Sequence, residues 1–403
     1  MSDYPVPKFL KPDSPPHIAT LIILAGIGAL SMNIFLPSLK VMSQYFNTDY
    51  RLMQLSVALY LGMNAVLQIF IGPISDRFGR RPVMLWAVGL FILATFGCLM
   101  APNVVVFLAF RMMQAVIIAG LVLSRAAVRD MVPTDQAASM IGYVTMGMSL
   151  VPMVGPVIGG ALGQAFGWQA NFWLLFILGG VVFALTWMDM GETFTRTEGG
   201  FRAQVREYPE LLTSHRFWGY CLSAAFAAGA FFSYLGGAPF VGSEVYGMSD
   251  ARLGLYFGAP ALGYLVGNFL SGRFSTRLGV NRMILIGAVV PFFGLAFSVA
   301  LFKAGHGSAE VFFGFMTIVG LGNGLVMPNA NAGMLGVRPR LAGSAAGLGG
   351  AILIGGGAAL SGFAGTLLSK DTGAIPLLWL MFLTSGLSIL SILWVIRRDR
   401  QLA

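Results

Sequence analysis

Charged residues are scarce in this sequence, at 10% of its 403 positions, whereas soluble globular proteins carry roughly 25%. Hydrophobic residues make up 57% of the chain, and the mean hydropathy is +0.78. These values exclude a soluble globular protein and predict a polytopic membrane protein. Cysteine is nearly absent as well. Cys98 and Cys221 both lie in apolar segments, which argues against a disulfide or a metal pair, so we expect no metal and no cofactor.

Acidic side chains are missing from the interiors of the apolar segments. All sixteen lie in loops, tails or segment ends, and Asp189 comes nearest to a segment interior. His17, His215 and His306 are likewise terminal. A membrane-embedded enzyme needs paired acids, a Ser/His pair or metal ligands within its spans, so we expect no catalytic residue and no enzyme. A sensor or scaffold is disfavoured because no sizeable soluble domain is present to signal through.

Long apolar runs dominate the chain instead. Each is close to the roughly 20 residues that a helix needs to cross about 30 Å of hydrocarbon. They predict twelve membrane-spanning helices, at about 18–39, 52–73, 82–100, 104–126, 138–162, 168–189, 217–240, 251–272, 281–302, 308–330, 341–367 and 375–396.

Lys and Arg are distributed unevenly between the two sides of this topology. The loops and tails of one side carry nineteen of them, and the loops of the other side carry five. Because basic loops stay in the cytoplasm, both termini are predicted to be cytoplasmic. The formal charge of +9 follows from this bias and predicts no nucleic-acid partner.

The longest polar connection separates the spans into six plus six. Residues 267–279, between predicted helices eight and nine, weakly repeat residues 72–81, between helices two and three. Such parallel repeats are typical of transporters. We predict a cytoplasmic tail at 1–17, a six-helix bundle at 18–189, a cytoplasmic linker at 190–216, a second six-helix bundle at 217–396 and a cytoplasmic tail at 397–403.

Several short motifs resemble those of a known family. Residues 72–81 read Gly-x-x-x-Asp-Arg-x-Gly-Arg-Arg, residues 111–114 read Arg-x-x-Gln, and residues 147–160 are rich in Gly and Pro. Three further motifs are Arg125-Ala-Ala-Val-Arg129-Asp130, Glu192-Thr193 and Pro328-Asn329-Ala330. Together they resemble the major facilitator superfamily and, within it, the bicyclomycin and chloramphenicol-resistance subgroup of twelve-helix drug:proton antiporters.

The resemblance runs over nearly the whole chain. It implies an all-α polytopic membrane protein with the major facilitator fold, in the inner (cytoplasmic) membrane of a bacterium. It also implies alternating access that expels small, largely apolar compounds, with protons as the coupling ion. We expect a monomer in the lipid bilayer, with a small molecule as substrate.

Residues 72–81 gain a mechanical role from the resemblance. Arg supplies forked donors for carboxylates and carbonyls, so the charges of this loop can fasten the cytoplasmic helix ends of the two halves in one state. A plain positive-inside loop is the alternative. The predicted latch residues are Gly72, Asp76, Arg77, Gly79, Arg80, Arg81, Arg129 and Asp130.

A substrate cavity is predicted where polar side chains meet on apolar walls. Arg111 is a charge inside an apolar span, which is costly and usually functional. At 1.5 Å per residue, Arg111 and Asn33 both lie about 10 Å below the outer surface, and helices one and four are neighbours in the family. We therefore expect a hydrogen bond from Arg111 to Asn33; a structural Arg bonded to backbone carbonyls is the alternative. The predicted lining residues are Asn33, Tyr60, Asn64, Gln68, Arg111, Gln114, Met146, Ser149, Phe231, Tyr234, Tyr264, Asn268, Asn329 and Asn331.

Predicted helix five carries small residues and prolines in its outer half. The resemblance implies a seal against proton leak, and ordinary small-residue packing on a helix of the second half is the alternative. The residues of this antiporter-type helix are Gly147, Pro152, Gly155, Pro156, Gly159 and Gly160.

Asn33 marks a departure from the family pattern. The subgroup carries an acidic residue in helix one ahead of an aromatic-Leu-Pro, and here Met32-Asn33-Ile34-Phe35-Leu36-Pro37 has an amide, which does not titrate. A drug:proton antiporter needs a carboxylate or imidazole that binds proton and substrate in turn. Proton transfer at Asp76 or Asp130, facilitated diffusion, or import or exchange of a small organic anion or metabolite attracted by Arg111 therefore remain alternatives.

Overall fold

Helices make up the regular structure of the part of the chain that this computed structural model describes. It describes residues 9–11, 13–132, 140, 144, 151, 154–193, 209–338 and 341–402. The helices are α1 (Ile18–Tyr45), α2 (Tyr50–Phe78), α3 (Arg80–Leu99), α4 (Val104–Met131), α5 (described over Val154–Phe166), α6 (Gln169–Asp189), α7 (His215–Val245), α8 (Asp250–Leu278), α9 (Val280–Lys303), α10 (Ala309–Val337), α11 (Ala342–Leu367) and α12 (Ile375–Leu402).

Eleven of these helices are long and apolar enough to cross a membrane. The remaining one, α5, is described only from Val154, so most of the first half of the fifth predicted span lies outside the described residues. Large apolar side chains cover the outside of the bundle; Trp86 is 80% exposed and Phe269 is 68% exposed. Soluble monomers rarely expose such surfaces, whereas lipid-facing helices require them.

Polar caps set where several helices begin. A side-chain oxygen at the N-cap accepts a hydrogen bond from a free N–H of the first turn. Asp49 does this for α2, Asn103 for α4, Ser214 for α7, Ser249 for α8 and Ser308 for α10. These caps explain why the helices start close to the predicted boundaries.

Two helices end on the same backbone conformation, and this is the strongest sign of an internal repeat. Gly79 follows α2 with φ +94° and ψ 155°, and Gly279 follows α8 with φ +82° and ψ 154°. In each case the glycine N–H donates to a serine carbonyl four residues earlier, at 2.9 Å. Side chains rarely tolerate positive φ, so glycine is needed at both positions.

Within each half, helices pack through close backbone approach. A Cβ at Gly263 of α8 would overlap the carbonyl oxygen of Thr317 in α10, and one at Gly320 of α10 would overlap that of Pro260 in α8. Small residues permit such contact where no hydrophobic driving force separates helices from lipid. Between the halves, α11 packs along α2, as Gly362 beside Ala58 shows.

The bundle has two chemically different ends. We call the end that holds Gly79, Arg80 and Asp130 the inner end, and the end that holds Ser38 and Asp250 the outer end. The inner end is the one that the distribution of Lys and Arg predicts to be cytoplasmic.

Candidate functional site

Arg111 lies at the centre of a buried polar cluster in the first half. Only 1% of its surface is exposed. Its Nη1 donates to Ser31 Oγ at 3.1 Å and to Gln114 Oε1 at 2.7 Å, and its Nη2 donates to the Ser31 carbonyl at 2.8 Å. The guanidinium stacks on Tyr60, 3.9 Å from the ring centroid, and on Phe35 at 4.5 Å. Neutral oxygens and two π-faces therefore solvate this charge.

The polar cluster extends from Arg111 toward α3. Gln114 Nε2 donates to Thr95 Oγ1 at 2.7 Å, and Thr95 Oγ1 donates to the Phe91 carbonyl at 2.7 Å. Four helices are thereby linked through side chains that no solvent reaches. This geometry supports the structural alternative for Arg111, an Arg bonded to backbone and neutral side chains.

The predicted hydrogen bond between Arg111 and Asn33 is wrong. Ser31 takes that place, because residues two apart on a helix point roughly 200° away from each other. Asn33 is fully buried on the side of α1 that faces Gly155 of α5. Neither Nδ2 nor Oδ1 of Asn33 has a hydrogen-bond partner among the described residues.

Tyr60, Asn64 and Gln68 recur at every fourth position of α2, but these three predicted lining residues lie in different environments. Tyr60 is buried under Arg111, and its Oη donates to the Gly28 carbonyl at 3.4 Å. Asn64 is buried, with no partner for Oδ1 in the described part of the chain. Gln68 is partly exposed and lies beside Gly350 of α11, at the junction of the two halves. The triad therefore runs from the core of the first half to the junction.

The predicted residues of the second half fall into separate environments. Tyr234 is fully buried in an aromatic cluster, with ring centroids of Phe257 and Phe313 at 5.0 and 6.2 Å. Phe231 stacks on the same ring at 6.3 Å. Asn329 of α10 donates to Ser271 Oγ of α8 at 2.8 Å, which ties these helices together.

The other predicted lining residues vary in exposure. Asn268 donates to the Tyr264 carbonyl of its own helix at 2.9 Å, and both residues are partly exposed. Asn331 is exposed. Met146 and Ser149, together with Gly147 and Pro152 of the antiporter-type helix, lie outside the described residues.

One open cavity lies at the seam between the halves rather than among the predicted residues. Its volume is about 630 Å³. The walls come from α5, α8 and α10, with Val157, Leu262 and Phe313 among the lining side chains. Sequence reasoning missed this groove because its walls are ordinary apolar residues.

The charges of the predicted latch form one compact network at the inner end. Arg80 hydrogen-bonds Asp76 and Ser75, and its Nε lies 3.1 Å from Asp130 Oδ2. Glu192 Oε1 accepts the N–H of Arg80 at 2.8 Å, so this carboxylate caps the N-terminus of α3. The neighbouring Arg81 donates its own N–H to Glu192 Oε2 at 3.2 Å and its Nη2 to the Trp187 carbonyl at 3.0 Å.

Asp76, Ser75, Asp130 and Trp187 belong to the first bundle, and Glu192 belongs to the segment that directly follows it. The fastening of the two halves by this network therefore stays a prediction. The contacts of Ser75 and Glu192 with Arg80 are not predicted from the sequence, although Glu192 belongs to one of the family-like motifs.

The outer end carries polar contacts between the halves that sequence reasoning missed. Glu244 Oε1 pairs with Lys40 Nζ of the first half at 3.0 Å, and Oε2 pairs with Lys370 Nζ at 2.9 Å. The hydrogen bond to Glu244 raises the pKa of the Lys370 ammonium. Ser38 Oγ of the first half donates to Asp250 Oδ2 of the second at 2.7 Å. The sequence indicates these contacts only through the small number of charged residues in the loops predicted to lie outside.

The glycines of α5 allow two different helix contacts. A Cβ at Gly159 would overlap the Ile34 carbonyl of α1, within the same half. A Cβ at Gly160 would overlap the Asp250 carbonyl of α8, and one at Gly254 would overlap the Pro156 carbonyl of α5. At the outer end, α5 and α8 therefore touch backbone to backbone across the junction of the halves.

Comparisons with known proteins agree with the resemblance of the motifs. The family model described as Major Facilitator Superfamily matches residues 21–360 and, in an overlapping match, residues 244–402. The chain is 26% identical to the bicyclomycin resistance protein homolog of Haemophilus influenzae over 95% of this chain and 96% of that protein. It is 28% identical to multidrug resistance protein D of Escherichia coli over 89% and 90%. A D-xylose-proton symporter structure superposes with a TM-score of 0.69 over 94% of this chain and 96% of that chain at 13% identity, which shows the shared fold.

Proposed function

The chain belongs to the major facilitator superfamily, and from this premise we propose that it is a secondary active transporter that exports small hydrophobic or amphiphilic compounds by alternating access. Relatives named for bicyclomycin and multidrug resistance support export as the direction of transport. We place the protein in a bacterial inner membrane as a monomer with twelve spans, two six-helix bundles and both termini in the cytoplasm.

The observation that carries this proposal is the difference between the two ends. At the outer end, Glu244 and Asp250 bind Lys40 and Ser38 across the junction of the halves. At the inner end, Arg80 pairs with Asp130 and Asp76, which belong to the same half as Arg80. A transporter that alternates needs contacts at one end that form while those at the other are released. The arrangement fits a state that is closed toward the outside.

We assign the latch, the α5 glycines and the cavity residues to steps of the same alternating-access cycle. In the opposite state, the network of Asp76, Arg80 and Asp130 fastens the inner helix ends to the second half. The α5 glycines seal the outer end against proton leak. Substrate binds between the halves, where Gln68, Tyr264 and Asn268 are partly exposed, with the buried Arg111 cluster holding the neighbouring walls in place.

A transport assay tests export directly. Cells that express the protein should accumulate several-fold less radiolabelled chloramphenicol than control cells, and an uncoupler that collapses the proton gradient should remove the difference. Accumulation that does not respond to expression would contradict export. A difference that survives the uncoupler would contradict proton coupling and leave facilitated movement.

Asn33→Asp tests the proton site of helix one. Asn33 is buried without a side-chain partner among the described residues, so a carboxyl group there gains no neutralising contact from them. A carboxyl group binds and releases a proton, and its ionised fraction relative to the protonated one changes about tenfold per pH unit near its pKa. We expect transport by Asn33→Asp to vary several-fold more between pH 6 and pH 8 than transport by the natural chain, measured in proteoliposomes.

Asn33→Leu is the control for this experiment, because it fills the same site without a titratable group. Its pH profile should match that of the natural chain. An Asn33→Asp profile equally flat would show that helix one has no access to the protons that drive transport.

A further inference from the structure

The groove at the seam of the halves has no role in the proposed transport cycle. One wall comes from α5 of the first half, and the others come from α8 and α10 of the second half. Among its lining residues, Leu255 is 64% exposed, Leu262 is 61% exposed and Val154 is 50% exposed. Apolar side chains on the outside of a membrane bundle face lipid. The groove therefore opens sideways, toward the acyl chains of the bilayer.

The length of the groove matches one leaflet of a bilayer. Glu310 lines its outer rim, in the first turn of α10. Val154 and Leu262 line its deep end, twelve residues from the outer ends of their helices at Phe166 and Asp250. At 1.5 Å per residue, both lie about 18 Å below the outer end. One leaflet provides about 15 Å of hydrocarbon, and about 20 Å with its headgroup region. The groove thus runs through the outer leaflet and stops near the midplane.

The rim of the groove carries one cation and one anion at headgroup depth. Arg252 of α8 lies 3.5 Å from Glu310 of α10, and its guanidinium lies 5.7 Å from the ring centroid of Tyr256. The Tyr256 hydroxyl donates to Glu310 Oε1 at 3.1 Å. The two charged side chains are 59% and 63% exposed, so their ion pair contributes little to stability. Both charges can therefore turn to a ligand at the rim.

A glycine of α10 leaves the groove open. Gly314 lines it and is exposed, and a Cβ at this position would meet no atom of the described residues within 4 Å. The volume of about 630 Å³ lies within the roughly 300–1,000 Å³ of ligand sites. A larger side chain at residue 314 would fill space that a ligand could otherwise occupy.

We propose that this groove binds one acyl chain of a zwitterionic phospholipid of the outer leaflet, with the lipid phosphate at Arg252 and the lipid ammonium at Glu310. A forked guanidinium suits a phosphate, and a carboxylate suits an ammonium. Phosphatidylethanolamine carries both charges at this depth, whereas phosphatidylglycerol lacks the ammonium. Because the walls come from both halves, the lipid binds the arrangement in which α5 lies beside α8 and favours it.

Photolabelling in proteoliposomes tests the site on the full chain. A phosphatidylethanolamine with a diazirine in the middle of one acyl chain is irradiated, and its adducts are mapped by peptide mass spectrometry. Adducts at residues 154–157 and 255–262 should exceed those at Phe293 about fivefold. Phe293 of α9 is 65% exposed and lies about 15 Å from the outer end of its helix, so it reports ordinary lipid contact at similar depth. Equal labelling of Phe293 and the groove would overturn the proposal.

Gly314→Leu fills the groove and should lower its labelling about fivefold. The matched control is Gly180→Leu in α6, where a Cβ also meets no atom of the described residues within 4 Å, and it should label as the natural chain does. Equal melting temperatures of both variants and the natural chain in lipid-free detergent show that they fold. Added phosphatidylethanolamine should then raise the melting temperature of the natural chain and of Gly180→Leu by about 3 °C, and that of Gly314→Leu not at all. Groove labelling that Gly314→Leu leaves unchanged would overturn the site.

The headgroup is tested by competition and by the rim charges. Arg252→Gln and Glu310→Gln should each lower groove labelling about threefold, because each removes one charge-assisted contact. Unlabelled phosphatidylethanolamine should compete about threefold better than phosphatidylglycerol. Equal competition by the two lipids would overturn the zwitterionic occupant. None of these measurements uses transport, so a chain that fails to export chloramphenicol would contradict the proposed function and leave the lipid site standing.

Discussion

Gly254→Ala is expected to reduce transport about tenfold while leaving the protein folded. The added Cβ would overlap the carbonyl oxygen of Pro156 and lie 3.1 Å from its carbonyl carbon. Both are backbone atoms that no rotamer change can move, so α5 and α8 must separate. Overpacking of this kind costs about 1–3 kcal/mol, and 1.4 kcal/mol is tenfold in an equilibrium. The penalty falls on the state in which the outer end is closed, so the halves spend less time there.

The expected loss of closure can be measured separately from transport. Gln54 is 4% exposed, and its amide hydrogen-bonds the Gly236 carbonyl across the junction of the halves. A Gln54→Cys reporter should react slowly with a membrane-impermeant thiol reagent in the natural background and much faster together with Gly254→Ala. The natural cysteines are fully buried and can remain in place.

Gly272→Ala provides the matched control in the same helix. A Cβ at Gly272 meets no atom within 4 Å, so the same chemical change should leave transport and thiol labelling as they are. Full transport by Gly254→Ala, with residue 54 still protected, would show that α5 and α8 do not need this contact.

The close contact of α5 with α8 also explains how the two kinds of outer contact work together. Backbone contact at Gly160 and Gly254 sets how near the halves can come. Only at that separation can Lys40 reach Glu244 and Ser38 reach Asp250. The ion pairs themselves are partly solvated and contribute little each, so the glycines decide whether the closed state can form.

Sequence reasoning located the starts of the helices well because these starts are encoded locally, but several predicted C-terminal ends were too early: helix eight, predicted over 251–272, runs over Asp250–Leu278, and helix ten, predicted over 308–330, runs over Ala309–Val337. Predicted helix nine, 281–302, is observed as Val280–Lys303, and the repeat of glycine at the ends of α2 and α8 identified equivalent positions in the two halves. Length, caps and glycines are all read from neighbouring residues.

Side-chain partners could not be predicted in the same way, because they depend on how each helix is rotated. A helix that is apolar all round carries no stripe that says which face meets which neighbour. Asn33 and Ser31 were equally good partners for Arg111 by depth, and only the rotation of α1 selects Ser31. Glu244 pairs with Lys40, about two hundred positions away in the chain, and no local sequence pattern predicts this pair.

Arg111→Met is the second change with a large expected effect, and here we expect both stability and transport to fall. The variant removes the donors that satisfy the Ser31 carbonyl and Gln114 Oε1, which are buried in the first half. A buried acceptor left unsatisfied costs about 1–3 kcal/mol, so the two together cost roughly 2–6 kcal/mol. In detergent the melting temperature should fall by roughly 5–10 °C, and transport should be lost because α1, α2 and α4 no longer hold one arrangement.

Arg111→Lys distinguishes the geometry of the guanidinium from its charge. The two terminal nitrogens of Arg111 serve Ser31 and Gln114 from one rigid plane that also stacks on Tyr60, and a single ammonium cannot reproduce this fork. Arg111→Lys should therefore resemble Arg111→Met in melting temperature. The control Arg252→Gln removes an exposed arginine whose partner Glu310 lies 3.5 Å away, and it should change stability by less than about 0.5 kcal/mol. Recovery of transport by Arg111→Lys would mean that charge at this depth is what matters, and that the neutral network around it is secondary.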